Sequence, residues 1–343
     1  MIKKNSSINK INSFGINIKC KYLAIANNLN DIKRYIYISI NKKIPIIFVG
    51  DISNTIFLEN FCGFIVLNRI YGINIYNYKK YWHLHIHSGE SWSKIVNITI
   101  KKNIYGLENL SMIPGRVGSA VINNIGAYGV EISDIISYVY IINIYNFNKK
   151  KINNNECSFN YRYSIFKTNK YKDYIILSIG LNLKKNWSPI LNHKKIFCLK
   201  KYNLNSKKIY KIINNIRANN IPNFNIISNC GSFFKNCILK NKNFINLKNK
   251  YKLIPNFKIS NNKFKIYSGW LIDKCNLKSF FYKNLYIYNK NSLVIVNLGE
   301  NTNGNDILFF IRIIKKVVKR KFNIKLENEV LLLKNNFIKK LYG

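Results

Sequence analysis

Short apolar runs separated by turn residues fill the first part of the chain. KCKYLAIA, IPIIFVG, TIFLE and GFIVLNRI, all within residues 17–70, each have strand length. Residues 30–41 between them carry the periodicity of a helix. GINIYNYKKYWHLHIHSGESW extends the strand character through residue 92, and a helix is expected from about Glu90-Ser91, with Ser91 or Ser93 as its cap. Further on, residues 135–144 and 174–183 predict strands and 206–219 a helix closed by Pro222. Residues 305–320 form the last periodic helix, FNIKLENEVLLL reads as a terminal strand, and the Asn/Lys-rich residues 241–252 read as surface loop or helix ends. Strands and helices mix without regular βαβ alternation and without an internal repeat, so the expected class is α+β.

One segment breaks this pattern. GLENLSMIPGRVGSAVINNIGAYGVE holds Gly106, Gly115, Gly118, Gly126 and Gly129, with Pro114 among them, in a chain of 343 residues with 16 glycines and 5 prolines. Glycine lets backbone approach a ligand closely and offers bare N–H groups to an anion. Tight turns would show the same residues.

Composition changes the picture in two ways. The formal charge of +42 invites a nucleic-acid reading, but only seven of the 56 basic residues are Arg and the lysines run along the whole length. Acids are depleted while Asn, Ile and Tyr are inflated, the mark of drift toward A and T rather than of a phosphate-binding face. No nucleic-acid role is expected. Against that background the few Arg, Glu and Asp stand out singly. The seven cysteines show no CxxC pair, and the N-terminus has charge without an apolar segment. Reduced thiols, no secretory signal, no membrane span and a cytoplasmic protein are expected.

Several patterns could carry chemistry. Gly50-Asp51-Ile52-Ser53-Asn54 follows an apolar run, where backbone N–H groups and hydroxyls meet phosphates; a hairpin turn looks the same. His83, His85 and His87 alternate, so they share a strand face; a metal site and a part-exposed strand are both open, and no metal is expected. Arg162, in FNYRYSIFK, suits a carboxylate or phosphate, or a structural ion pair. Ser232, in NCGSFFKN, could donate a proton or cap a helix. Glu327 and Glu329, two apart on the expected strand, would share a face, as surface carboxylates or as an acid and its neighbour.

In this order and spacing, the glycine segment, YRYSIFK, GSFFKN and SGWLIDKC resemble the UDP-N-acetylenolpyruvoylglucosamine reductase family, in its form with longer insertions. The resemblance spans nearly the whole chain. It implies an α+β fold with a two-part FAD-binding region of the vanillyl-alcohol-oxidase-like kind and a C-terminal α+β substrate domain. The implied boundaries are 1–69 (joined by a terminal strand at 330–343), 70–221 and 222–329. It implies a monomer using FAD, with NADPH as reductant and UDP-N-acetylglucosamine enolpyruvate as substrate.

Residue by residue, the resemblance implies catalytic roles for three side chains. Arg162 would stabilise the enolate formed by hydride addition, Glu329 would share a proton with its enolic form, and Ser232 would protonate the alpha carbon. It implies cofactor contacts at Gly50, Asp51, Ser53, Asn54, Pro114, Gly115, Gly118, Ser119, Asn123, Gly126 and Gly129. Tyr161, Arg217 and Asn236 would lie near substrate. Departures from the family pattern are Ile52 and His87 at glycine positions, His193 for a tyrosine, Asn220 for a lysine and Leu331 for an arginine. Retained chemistry with weaker binding is expected. Two alternatives stand beside this reading: another flavin oxidoreductase of the same superfamily, and a degraded flavoprotein acting as a basic anion-binding protein.

Overall fold

The computed structural model describes residues 1–193, 195–201 and 204–335. Its first sheet has the order β1 (Ile2–Ser7), β2 (Lys19–Ala26), β5 (Phe61–Asn68), β3 (Ile46–Val49). β1 runs antiparallel to β2, while β2, β5 and β3 are parallel. The helix α1 (Leu29–Asn41) links β2 to β3 and buries Ile32, Tyr35, Ile36 and Ser39, one stripe at helical spacing. Its start is fixed by Asn28, whose side chain accepts from the Asp31 N–H. Another strand, β4 (Thr55–Phe57), leaves this sheet and pairs elsewhere.

The second sheet is antiparallel, in the order β11 (Lys149–Asn153), β10 (Ile136–Asn143), β12 (Tyr174–Lys184), β7 (Tyr81–His87), β6 (Ile73–Asn77). Two helices, α2 (Trp92–Lys101) and α3 (Val117–Ile122), share its core, which holds Trp92, Ile95, Val96, Val117 and Val121. Between α3 and β10 lies a small hairpin of β8 (Gly126–Ala127) and β9 (Val130–Glu131). α4 (Ser206–Asn220) follows, capped by the Asn205 side chain.

The rest of the chain builds two small sheets. One orders β13 (Ser228–Ser232), β19 (Val294–Asn297), β18 (Leu285–Ile287), β17 (Phe281–Tyr282); the other orders β14 (Cys237–Lys240), β16 (Lys263–Ile266), β15 (Asn256–Ser260). They pack with α5 (Asn241–Lys250), α6 (Ser268–Lys274) and the long α7 (Gly304–Phe322), opened by an Asn303–Asp306 capping box and closed by left-handed Asn323. The last strand, β20 (Leu331–Leu333), returns to pair in parallel with β4. One core therefore joins Phe14, Phe57 and Leu67 to Phe233, Phe310 and Leu326.

The expected helices stand close to their bounds, and three expectations change. Residues 241–250, expected as loop or helix ends, form a whole helix: α5 buries Phe244 and Leu247. FNIKLENEVLLL is not one strand, since only Leu331–Leu333 is regular, and residues 336–343 of the expected strand at 330–343 lie outside the described residues. Glu327 and Glu329 therefore share no strand face: the Glu327 side chain is 71% exposed and that of Glu329 18%. Among the described residues no helix is long and apolar enough to cross a membrane. All seven cysteines are unpaired.

The docking of α7 against the first part is tight enough to test. A methyl on Gly304 would collide with the Leu58 carbonyl. Gly304→Ala is expected to destabilise the fold by about 1–3 kcal/mol through overpacking, read as a lower urea midpoint. An unchanged midpoint would show that this contact does not constrain the packing.

Candidate active site

A cleft of about 670 Å³ runs between the two loop systems singled out above and the returning C-terminal segment. Gly50, Asp51, Ser53 and Asn54 line it from the end of β3, and Pro114, Gly118, Ser119, Asn123 and Gly126 from the glycine segment. Gly118 opens α3 so close to Ser88 that a methyl would stand 2.9 Å from the Ser88 Cβ. Gly115 sits just behind the wall with φ +107°, where a Cβ would press on the Ser53 and Ser119 hydroxyls. Gly129 lies off the cleft. Tyr128 and Gly129 both have positive φ and form the two-residue turn between β8 and β9, the type I′ geometry that calls for glycine. A side chain there would meet Ile190 and the His193 backbone instead.

The opposite wall is made by hydrogen bonding between segments nearly a hundred residues apart. The Lys235 N–H donates to the Glu327 carbonyl, and the Glu329 N–H to the Phe233 carbonyl (2.9 and 2.8 Å). Ser232 precedes that pairing at the end of β13, after a register break against β19 at which Gly231 takes φ +66°. Such a bulge re-aims the next side chain, and Ser232 lines the cleft. Asn54 ties the first loop to the same segment: its Nδ2 donates to the Glu329 carbonyl and its own carbonyl accepts from the Leu331 N–H.

Arg162 arrives from the third direction. Asn160 and Tyr163 bond across a tight turn in which Arg162 is left-handed, φ +53°. A non-glycine residue there costs about 1–2 kcal/mol. The guanidinium donates to the Gly126 carbonyl (3.0 Å), and its Nε stands 2.7 Å from Glu329 Oε1. That Nε makes no aligned hydrogen bond, so the contact is chiefly an ion pair. Burial pushes the Glu329 carboxyl above its usual range, and the Arg162 charge opposes the shift. Tyr161 in the same turn accepts a hydrogen bond from the Asn236 N–H on its hydroxyl (3.1 Å). Tyr161 and Asn236 face a second cavity, of about 710 Å³, that shares Lys235 with the cleft.

Arg217 lies within the last turns of α4 and lines the cleft. Burial first, and then Arg162, lower its ionisation below the ordinary value. The departures from the family pattern fare differently. Ile52 is left-handed at φ +48°, at a cost of about 1–2 kcal/mol, yet its side chain is buried in the main core. His87 carries no such strain: it closes β7 and its ring lies over Gly72. His193 packs edge-on against Tyr128. Asn220 accepts from the Lys195 ammonium (3.0 Å), which restores a cation beside that position. Leu331 begins β20 and lines the cleft. His83 and His85 meet the Tyr138 hydroxyl on the sheet face. Among the described residues no His, Cys, Asp or Glu cluster is gathered for a metal.

Three cleft residues, Arg116, Lys167 and Lys235, escaped the sequence reading, as did Arg69 behind the first loop. All three line the cleft, with Lys167 beside Arg162 and near Lys235. Arg69 reaches the first loop from the end of β5, donating to the Gly50 carbonyl (3.0 Å). The rarity of arginine was the available signal for Arg69 and Arg116. Nothing distinguished the two lysines in a lysine-rich chain.

Glycine-bared backbone on one wall and a cationic cluster with one acid on the other suit a long anionic cofactor with a planar end. The fold and cleft define a FAD-dependent flavoprotein, and residues 20–144 match the family described as FAD binding domain. Residues 222–333 match UDP-N-acetylenolpyruvoylglucosamine reductase, C-terminal domain. Proteins named UDP-N-acetylenolpyruvoylglucosamine reductase are similar over nearly the full length. That of Buchnera aphidicola (subsp. Baizongia pistaciae) is 39% identical, covering 96% of this chain and 98% of its own. That of Wigglesworthia glossinidia brevipalpis is 40% identical, covering 93% and 94%. The solved reductase from Thermus caldophilus shares the fold, with a TM-score of 0.67 over 97% of this chain and 99% of that one, at 18% identity. The chain belongs to the UDP-N-acetylenolpyruvoylglucosamine reductase family.

The cation cluster yields a pH test. The Lys167 ammonium donates to the Arg162 carbonyl (2.9 Å), and burial first, then the Lys235 charge, bring its pKa down to about 8. Between about 8 and its ordinary 10.5 the unfolded chain binds more protons at this site. Its unfavourable contribution is therefore complete below pH 8 and disappears as pH rises to 10.5. The parent should gain stability on Lys167→Met between about pH 7.5 and 9.5, read as urea midpoints. Parallel pH slopes would contradict the lowered pKa.

Proposed function

We propose that this chain reduces the enolpyruvyl group of UDP-N-acetylglucosamine enolpyruvate to give UDP-N-acetylmuramate, a step of peptidoglycan precursor synthesis, with FAD as cofactor and NADPH as reductant. Family membership selects this reductase over the two alternatives raised by the sequence. The observation that carries the reading is convergence. Arg162, Ser232 and Glu329, from three distant stretches, line the one cleft that the glycine loops also line.

In this reading the loops at residues 50–54 and 114–126 hold the cofactor, with Gly115 giving room between them and Gly129 serving the neighbouring hairpin. When bound, FAD supplies the hydride received from NADPH. The protein's own groups handle the charge and the proton. Hydride addition at the vinyl terminus leaves negative charge on the carbon alpha to the carboxylate. Arg162 binds that carboxylate and stabilises the charge, the electrostatic effect that is often largest in catalysis. Glu329, whose carboxyl burial favours in the protonated form, shares a proton with the enolic oxygen. The Ser232 hydroxyl transfers its proton to the alpha carbon and is reprotonated afterwards. Arg217 in the cleft, with Tyr161 and Asn236 in the second cavity, hold the nucleotide portion.

The reading also divides the chain at 69/70 and 221/222, with the terminal strand returning to the first part. The β20–β4 pairing and the match that begins at residue 222 support this. The enzyme then acts as a monomer in the cytoplasm on small anions, not on nucleic acid or membrane. The unpaired cysteines agree with a reducing compartment.

Purified protein is expected to be yellow, to bleach anaerobically with NADPH, and to regain colour with the enolpyruvyl substrate. Failure of that substrate to restore the colour would refute the reductase assignment. Ser232→Ala should bleach normally and reoxidise about 10²–10⁴-fold more slowly. Reoxidation at the parent rate removes Ser232 as the proton donor.

A further inference from the structure

The first loop is held by a charge arrangement that the reductase reading does not use. Asp51 Oδ1 stands 2.6 Å from Arg116 Nε and 2.9 Å from an Arg69 terminal nitrogen. Each arginine is anchored a second time. Arg69 donates to the Gly50 and Asn68 carbonyls (3.0 and 2.8 Å), and Arg116 donates to the Gly89 carbonyl (3.0 Å). The Arg116 stem packs so close to Gly50 that a Cβ there would lie 3.0 Å from Arg116 Cγ. A single carboxylate thus fastens together the ends of β3 and β5, the turn after β7 and the loop before α3. All of them meet beside Ile52, the residue held left-handed in the loop.

The side chains are mostly shielded, at 14%, 30% and 18% exposure for Arg69, Asp51 and Arg116. With two cations and one anion, the cluster leaves net positive charge on the wall. Each arginine directs two of its guanidinium nitrogens at protein oxygens, so its value lies in placement as well as in charge.

We propose that Asp51 is a positioning residue: with Arg69 and Arg116 it sets the spacing of the two loops that grip the FAD diphosphate. This rests on the FAD reading of the cleft, and it makes a prediction opposite in sign to simple electrostatics. An acid beside a diphosphate repels it, so neutralising that acid would tighten binding if only charge mattered. If the clamp matters, neutralising it loosens binding.

The test is FAD affinity of folded apoprotein, followed by quenching of flavin fluorescence well below the melting temperature. Only folded protein is read, so a loss of global stability alone does not move the result. Asp51→Asn should raise the Kd about tenfold. The rise should persist at high salt, where exposed charge effects are screened. An unchanged or lower Kd overturns the proposal. Arg116→Lys keeps the cation but loses the two-pronged link between Asp51 and Gly89, and decides the matter if Asp51→Asn does not fold. A raised Kd supports the clamp, and a parental Kd overturns it. Failure of the reductase reading would look different: the parent would bind flavin yet not be reoxidised by the enolpyruvyl substrate.

Discussion

The backbone pairing of residues 327–331 is the constraint on which the rest of the structure depends. Within five positions this segment bonds to Phe233 and Lys235 on one side and to Asn54 on the other. It continues into β20, which lies along β4. The carboxylate of Glu329 is carried to Arg162 by that route alone. An irregular segment with so many partners has little freedom, and this fixed backbone is what lets a mostly buried ion pair be held at the end of a non-helical segment. The catalytic wall is thus a by-product of how the chain closes on itself.

What was legible in the sequence follows from which signals survive an A/T-biased composition. Amphipathic helices with Ile and Tyr on one stripe, such as α1, kept their period, because drift toward Ile leaves an apolar face apolar. The glycine segment survived because backbone geometry cannot be met by Asn or Lys. Edge strands did not survive. β1 and β11, IKKNSS and KKKIN, have exposed lysines where inner strands alternate, and lysine at a sheet edge is a common guard against aggregation that looks like loop from sequence. Helix α5 was lost in the same way, since Phe244 and Leu247 are its only buried positions in an Asn/Lys-rich stretch.

The site divides along the same line. Arg162, Ser232 and Glu329 were accessible because each sits in a short motif or is a scarce residue type. Their mutual geometry was not, since it rests on a tight turn at 160–163, a bulge at Gly231 and a long-range pairing, none of which has a periodic trace. Glycine counting also does not tell apart Gly129, whose positive φ belongs to the β8–β9 turn, from the glycines that line the cleft. Departures from the family pattern sorted themselves by dihedral: His87 is ordinary strand, whereas Ile52 bears the strain and recovers stability by burying its side chain.

The return of β20 to β4 also bears on how the molecule is born. Phe14 and Phe57 share one core with Phe310 and Leu326, and Glu329 lies beyond them all. A ribosome must pass from Thr55–Phe57 to Leu331–Leu333 before β4 can meet the strand it pairs with. Until then the nascent N-terminal portion presents an unfinished apolar face, a period in which chaperone capture competes with completion. The antiparallel middle sheet draws all its strands from Ile73 to Lys184, so it can settle before the C-terminal part is made.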